Sequence, residues 1–345
     1  MRILTRGDLD GLTSTVLLTM SEQVSEIRFA HPKEVQDGKV PCTSEDIVVN
    51  LPYVKGCGMW FDHHVSEEEK LPDIGAFKGK FAVAPSAARV VADHYAKPEF
   101  GQFKELLEAT DRLDSAQLTM HDVTKPAGWI LLGLTLDPRS GLGPEFQKYF
   151  RWLAEYIKEV PLAKILEHPE VKKRCERVVS EQAAFRRELR TRAKLRGNVI
   201  LTDFRGVNRD TMPVGNRFLV FAEFPMGNVE ARLFSGHDGK TLVVAVGHSI
   251  FNRTCKVNVG KLLAEYGGGG HNGAGTCQLP IETSEHQLEE IIGRLTDRDA
   301  RPSSPPTVLP RKPAAVQKKK PASKPKPKAK KRPAAKKKPK AKKKR

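Results

Sequence analysis

No apolar run in this sequence approaches the roughly 18 to 20 residues that a membrane-spanning helix needs, so no transmembrane segment is expected. The opening Met1-Arg2-Ile3-Leu4-Thr5-Arg6 leads at once to acidic residues, so no secretory leader is expected either. Cysteines are few: Cys42, Cys57, Cys175, Cys255 and Cys277 are scattered, odd in number and never form Cys-x-x-Cys. That argues against a disulfide framework and a structural zinc site, and for a reducing cytoplasm. Gly-x-Gly-x-x-Gly is missing from the first strand–helix turn, which holds two carboxylates instead, so a nicotinamide-dependent dehydrogenase is disfavoured.

Acidic residues are also missing from one long stretch. Residues 301–345 hold 20 of the 59 Lys and Arg and none of the 41 Asp and Glu, leaving 39 basic against 41 acidic residues in 1–300. The body is therefore nearly neutral, and the net charge of +18 comes from the tail. This excludes a uniformly basic, DNA-coating protein. The tail is rich in Lys, Pro and Ala and poor in apolar side chains, which predicts disorder from residue 300 to 345. Its charge suits nucleic acid, polyphosphate or another polyanion, without sequence preference.

The 345 residues suggest about two domains. Arg2–Thr5 reads as a strand, and Leu12, Val16, Leu17 and Met20 repeat with helical spacing. Glu26–Ala30 alternates. Ile47-Val48-Val49 and Met59-Trp60-Phe61 are solid apolar runs, the pattern of strands buried on both faces. Helical patterns follow around Ala87–Ala96 and Phe103–Thr110. The expected fold class is α/β, a mostly parallel sheet over residues 1–168. A connecting helix is expected over 169–196. It carries Arg186, Arg187, Arg190, Arg192, Lys194 and Arg196, which read as a solvated face before they read as a track for a polyanion. Residues 197–299 read as a smaller α+β module. Its strands are placed at Val199–Leu201, Val229–Phe234, Leu242–Val246 and, less clearly, Phe218–Phe221; its helices are placed at Val259–Tyr266 and Ser284–Leu295.

Three polar clusters each follow an apolar run: Asp8-Leu9-Asp10-Gly11, Asn50 and Asp62-His63-His64. The carboxyl ends of parallel strands share one edge, so these clusters are expected to converge. Gly11 allows a tight turn into a helix whose N-terminus could face an anion. Asp and His without Cys suit a borderline-hard cation, Mn²⁺ before Mg²⁺. Clustered carboxylates repel one another unless a cation sits between them.

Asp8-Leu9-Asp10-Gly11 with Ser14, then Asp62-His63-His64, then Gly267-Gly268-Gly269-Gly270-His271, resemble in order the signatures of the DHH phosphoesterase superfamily with its DHH-associated C-terminal domain. The resemblance covers roughly residues 1–299. Asn50-Leu51-Pro52-Tyr53 with Trp60–His64 is similar to its exopolyphosphatase-like or oligoribonuclease-like branch. The resemblance implies metal ligation by Asp8, Asp10, His63 and an aspartate in Thr110–Asp114, with Asp111 preferred and Asp114 second. It also implies that Asp62 orients a histidine and that His64 faces the substrate phosphate, with Asp62, His63 and His64 as the catalytic core. Two positions depart from the pattern. Leu4 stands where many members have histidine. Asn50 stands where many have an aspartate bridging two metals, and could ligate only weakly through its carbonyl oxygen. One metal is therefore expected to bind well and a second weakly.

Gly268, Gly269, Gly270 and His271 let backbone N–H groups approach a phosphate. Arg253 could clamp phosphate through its planar guanidinium or stand as an ordinary surface arginine. Ser86 reads as a helix cap. The expected function is hydrolysis of terminal phosphodiester bonds in short oligonucleotides by metal-activated water. An exopolyphosphatase and a catalytically weakened nucleic-acid-binding protein remain as alternatives. Phe218, Phe221 and Phe224 could stack on bases or fill a core.

Overall fold

The solid apolar runs become strands covered on both faces. In a computed structural model, residues 1–136, 142–208, 211–236 and 239–296 are described; the expected disordered tail lies outside them. The chain begins β1 (Arg2–Thr5), α1 (Leu9–Thr19), β2 (Glu26–Phe29), α2 (Pro32–Gln36), β3 (Asp46–Val49) and β4 (Met59–Asp62). It continues α3 (Val65–Glu68), α4 (Leu71–Ile74), β5 (Gly79–Phe81) and α5 (Ala87–Tyr95). Five strands form one sheet in the order β2-β1-β3-β4-β5. Every pairing in it is parallel.

Alternate residues face opposite sides. Ile3, Ile47, Val49 and Phe61 join the core that buries α1 and α5, whereas Leu4, Val48 and Trp60 join a second cluster with Ala30, Val35 and Leu51. The first residue of β3, Asp46, is buried and receives Arg2 Nε at 2.9 Å, Arg2 Nη2 at 2.8 Å and the Thr43 amide at 2.7 Å. Burial works against its charge, but the Thr43 amide and the Arg2 guanidinium outweigh it and hold its pKa below the usual carboxylate range. A lowered folded pKa stabilises the protein above the unfolded value of about 4, and that contribution is lost as pH falls through the folded value. Asp46→Ala is expected to lower the thermal midpoint at pH 7 by roughly 5 °C, with a smaller deficit at pH 3, as read in paired melts.

A helical segment follows: α6 (Lys104–Asp114), α7 (Met120–Thr124), α8 (Gly128–Leu134), α9 (Pro144–Glu159), α10 (Leu162–Glu167) and α11 (Pro169–Arg192). The last of these is the expected connecting helix, but it stops short of residue 196. Its final expected turn is instead β6 (Ala193–Arg196), which pairs antiparallel with β7 (Val199–Asp203). Gly197, at φ 63°, makes the tight turn between them, and β7 satisfies the backbone that the helix gives up. On α11, Arg186 and Arg190 both pair with Glu223, so these two members of the basic set are used within the fold.

The chain ends with α12 (Leu219–Glu223), β8 (Val229–Ser235), β9 (Thr241–His248), α13 (Val259–Ala264), β10 (Gly269–His271), β11 (Ala274–Pro280) and α14 (Ser284–Leu295). Six strands form the second sheet, ordered β10-β11-β9-β8-β7-β6. The Phe218–Phe221 run, expected as a strand, lies largely in α12. Short apolar runs do not reveal their period, and here Leu219, Val220 and Phe221 are buried in a cluster with Ala109, Leu118, Val123, Ile130, Phe185 and Leu189. Phe218 and Phe224 pack against the same cluster, so these three aromatics are core rather than a stacking platform. That cluster joins side chains of α6 and α8 to side chains of the second sheet's own helix, and the described residues belong to one compact unit. Among them no helix is long and apolar enough to cross a membrane.

Candidate metal centre

Strands β1, β3 and β4 are neighbours and parallel, so the residues following them meet at one edge. Asp8 caps α1, accepting the Gly11 amide at 2.9 Å on Oδ1. The same oxygen accepts Asn50 Nδ2 at 3.0 Å, and Oδ2 lies 3.1 Å from Arg6 Nε. Asp10, in the first turn of α1, is buried. Its oxygens accept the amides of Ala87 at 2.9 Å and Ala88 at 2.7 Å. Those amides are the open N-terminus of α5, which favours a negative charge. Even so, burial and the charges of Asp114 and Asp8 push the Asp10 pKa well up. A nearby cation would reverse this.

His63 supplies the matching observation. Its Nδ1 sits 3.0 Å from the Ala84 carbonyl, which can only accept, so the proton belongs on Nδ1. Its Nε2 is buried, has no hydrogen-bond partner, and faces Asp114 Oδ2 at 3.2 Å and Asp10 Oδ2 at 3.7 Å. A lone pair and two carboxylates directed at one point form a ligand set for a divalent ion. The donor atoms of Asp10, His63 and Asp114 all lie within 4.8 Å of one another, a span one ion can bridge. Next to it, Asp62 is fully buried and binds His64 Nδ1 at 2.8 Å. Burial opposes a charge on His64, but the Asp62 hydrogen bond and charge, with Asp114, raise its pKa. The two imidazoles lie 4.3 Å apart between ring centroids.

Of the two aspartates proposed near the end of this domain, the structure sets Asp114 rather than Asp111 against His63. Asp111 binds Ser86 Oγ at 2.7 Å and Arg89 Nε at 3.0 Å, so its carboxylate is neutralised within the fold. Asp114, one turn further along α6, is the residue that reaches His63. Ser86 caps α5 as expected, accepting the Arg89 amide at 3.0 Å. Asp8 stands outside this triple, in contact with Arg6, Gly11 and Asn50. Asn50, at φ 56°, turns its amide nitrogen to Asp8 and leaves its buried Oδ1, the atom expected to ligate weakly, without a partner. Leu4 is buried in the apolar cluster with Val48 and Trp60 and offers no ligand.

The glycine-rich segment is also not an open loop. Gly269–His271 is the edge strand β10, with Gly270 opposite Gly275. A Cβ on Gly268 would lie 2.3 Å from the Thr276 carbonyl oxygen, and one on Gly270, at φ 152°, 2.2 Å from that of Ala274. Much of the glycine content therefore serves close backbone packing. His271 is exposed, and among the described residues no hydrogen bond or ion pair joins it to the metal ligands. Arg253 donates Nε to the Ile250 carbonyl at 3.0 Å and Nη2 to the Ala116 carbonyl at 3.2 Å. It thus ties the segment after β9 to the end of the helix carrying Asp114, a tether that sequence reading did not anticipate. Beside this helix lies a cleft of about 710 Å³ lined by residues including Pro85, Glu108, Asp111, Arg112, Gln117 and Trp129.

No protein-family model matches the chain, and no curated protein matches it. Among solved structures it is similar to the pGpG-specific phosphodiesterase PggH from Vibrio cholerae, at 36% identity and a TM-score of 0.74. That likeness covers 85% of this chain and 98% of that one. The DHH domain of a protein described as belonging to a family of ribosomal proteins shares the fold, at 15% identity and a TM-score of 0.58, over 86% of this chain and 87% of that one. With its Asp62-His63-His64 at the end of β4 and its relation to the Vibrio enzyme, the chain belongs to the DHH phosphoesterase family.

Proposed function

We propose that the protein is a metal-dependent phosphodiesterase that hydrolyses short oligonucleotides from a terminus, with a 5′-phosphorylated dinucleotide as its best substrate. The observation that carries this reading is the buried, unpartnered His63 Nε2 directed at Asp10 and Asp114. The relative's specificity for pGpG supports the dinucleotide. Asp10, His63 and Asp114 would hold Mn²⁺, or Mg²⁺ in its place. Such an ion supplies a water of lowered pKa and neutralises phosphate oxygens. Ala84 and the α5 N-terminus keep His63 and Asp10 in position before any ion arrives. Asp62 holds His64 by Nδ1, so that Nε2 is left to meet a phosphate oxygen. Trp129, in the cleft beside α6, offers a surface for a base. The carboxylates of Glu105 and Glu108 lining the same cleft disfavour a long polyphosphate there. A cytoplasmic site of action fits the five free thiols. The tail, and the glycine segment with His271, would contribute affinity for polyanions and for the substrate end respectively.

The deciding assay incubates the full chain with Mn²⁺ and, separately, pGpG, a pentanucleotide RNA and polyphosphate. Mononucleotide release from pGpG is expected to be fastest, to stop with EDTA and to return with added Mn²⁺. Release of phosphate from polyphosphate without cleavage of pGpG would give the exopolyphosphatase reading instead. Tight binding of both RNAs with no product would give the non-catalytic one.

A further inference from the structure

Four carboxylates crowd the centre: Asp8, Asp10, Asp62 and Asp114. Arg6 is the guanidinium placed among them, just past the end of β1. Its Nε is buried and lies 3.1 Å from Asp8 Oδ2, yet it is not aligned for a hydrogen bond. Its Nη groups have no hydrogen-bond partner among the described residues, and its side chain is 35% exposed, so the fork is open to a ligand. Its partner Asp8 is joined to Asn50 at the strand-end edge where Asp10 and His63 also lie, so Arg6 borders the centre.

Asp8 is the key to what Arg6 does. The carboxylate takes Gly11 N and Asn50 Nδ2 on one oxygen and faces Arg6 with the other. A carboxylate so engaged has little left for a metal, and the neutral Asn50 adds no charge that would draw one. A second divalent ion at Asp8 would also have to stand against the Arg6 guanidinium, 3.1 Å from its Oδ2. Arginine, in contrast, matches two phosphate oxygens with parallel N–H groups.

We propose that Arg6 is a phosphate-binding residue of this centre alongside His64, a fixed cation that neutralises Asp8, receives oxygens of the scissile phosphate, and leaves the protein to work with one metal ion. The inference rests on the phosphodiesterase reading and assigns its substrate contact. No bond is made or broken by Arg6.

The test uses the full chain. Mn²⁺ is titrated by equilibrium dialysis, and inorganic phosphate is then titrated into the Mn²⁺-loaded protein, for wild type, Arg6→Gln and Arg6→Lys, with circular dichroism to verify folding. One Mn²⁺ per chain is expected in all three. Phosphate affinity is expected to fall at least tenfold in Arg6→Gln and by less in Arg6→Lys, which keeps the charge but loses the fork. Two tightly held ions in the wild type would overturn the proposal. So would equal phosphate affinity in wild type and Arg6→Gln; if that protein still cleaves pGpG, only the role of Arg6 falls and the phosphodiesterase reading stands. A wild type that binds no Mn²⁺ overturns both.

Discussion

Alanine in place of His63 is expected to remove tight Mn²⁺ binding and to lower turnover of pGpG by about a thousandfold or more. Metal stabilisation of a transition-state charge is worth several kcal/mol, and about 4 kcal/mol corresponds to three decades in rate. The loss should be larger than that of an ordinary buried histidine because it removes the one nitrogen facing both Asp10 and Asp114. The Nδ1 side is fixed by Ala84, and Nε2 is the only nitrogen donor in the triple with Asp10 and Asp114. A paired comparison sharpens the result. Asp114→Asn should behave like the His63 variant, whereas Asp111→Asn should keep its Mn²⁺, because Asp111 is already bound to Ser86 and Arg89. Dialysis against Mn²⁺ followed by a pGpG assay measures both. The reverse order, with Asp111 essential and Asp114 dispensable, would move the centre by a turn of α6.

Gly11→Ala is expected to have the second large effect, and for a reason of packing rather than of chemistry. A Cβ at this position would lie 2.0 Å from the Arg6 carbonyl oxygen and 2.8 Å from Thr5 Oγ1. The obstacle is backbone, which cannot swing aside as a side chain can. Overpacking of this severity costs about 3 kcal/mol, which lowers the thermal midpoint by roughly 6 °C or more. Because the displaced segment carries Arg6, Asp8 and Asp10, Mn²⁺ affinity should fall with stability. Gly293→Ala in α14 is the control: nothing stands within 4 Å of its added methyl, and alanine favours the helix, so stability should hold or rise slightly. Equal melts for the two variants would show that the β1–α1 turn relaxes freely.

Much of this centre could be read from the chain. Solid apolar runs ending in Asp or Asn gave both the strands and the edge on which Asp10, Asn50, Asp62 and His63 meet. What stayed hidden depends on partners far away in sequence. Asp111 and Asp114 lie one helical turn apart, and nothing local says which is free; Arg89, on another helix, decides it. The contacts that engage the Asp8 carboxylate, from Arg6, Gly11 and Asn50, become visible only in three dimensions. Arg6 did leave a signal, a basic residue two positions before a motif aspartate, but surface arginines are too common for that spacing to stand out. The Phe218–Phe221 run is ambiguous for the reason short runs always are, and Gly197 marks the end of the long charged segment without showing that Ala193–Arg196 leaves the helix for a strand.

The apolar cluster built from α6, α8, α11 and α12 bears on inheritance. Leu219, Val220 and Phe221 fill space beside Val123, Ile130 and Phe185. A gene fragment ending after Arg196 would expose those three to water, and one beginning there would carry a greasy patch with no cover. Chimaeras that exchange the carboxy-terminal half between relatives should therefore succeed only when both sides of this seam travel together.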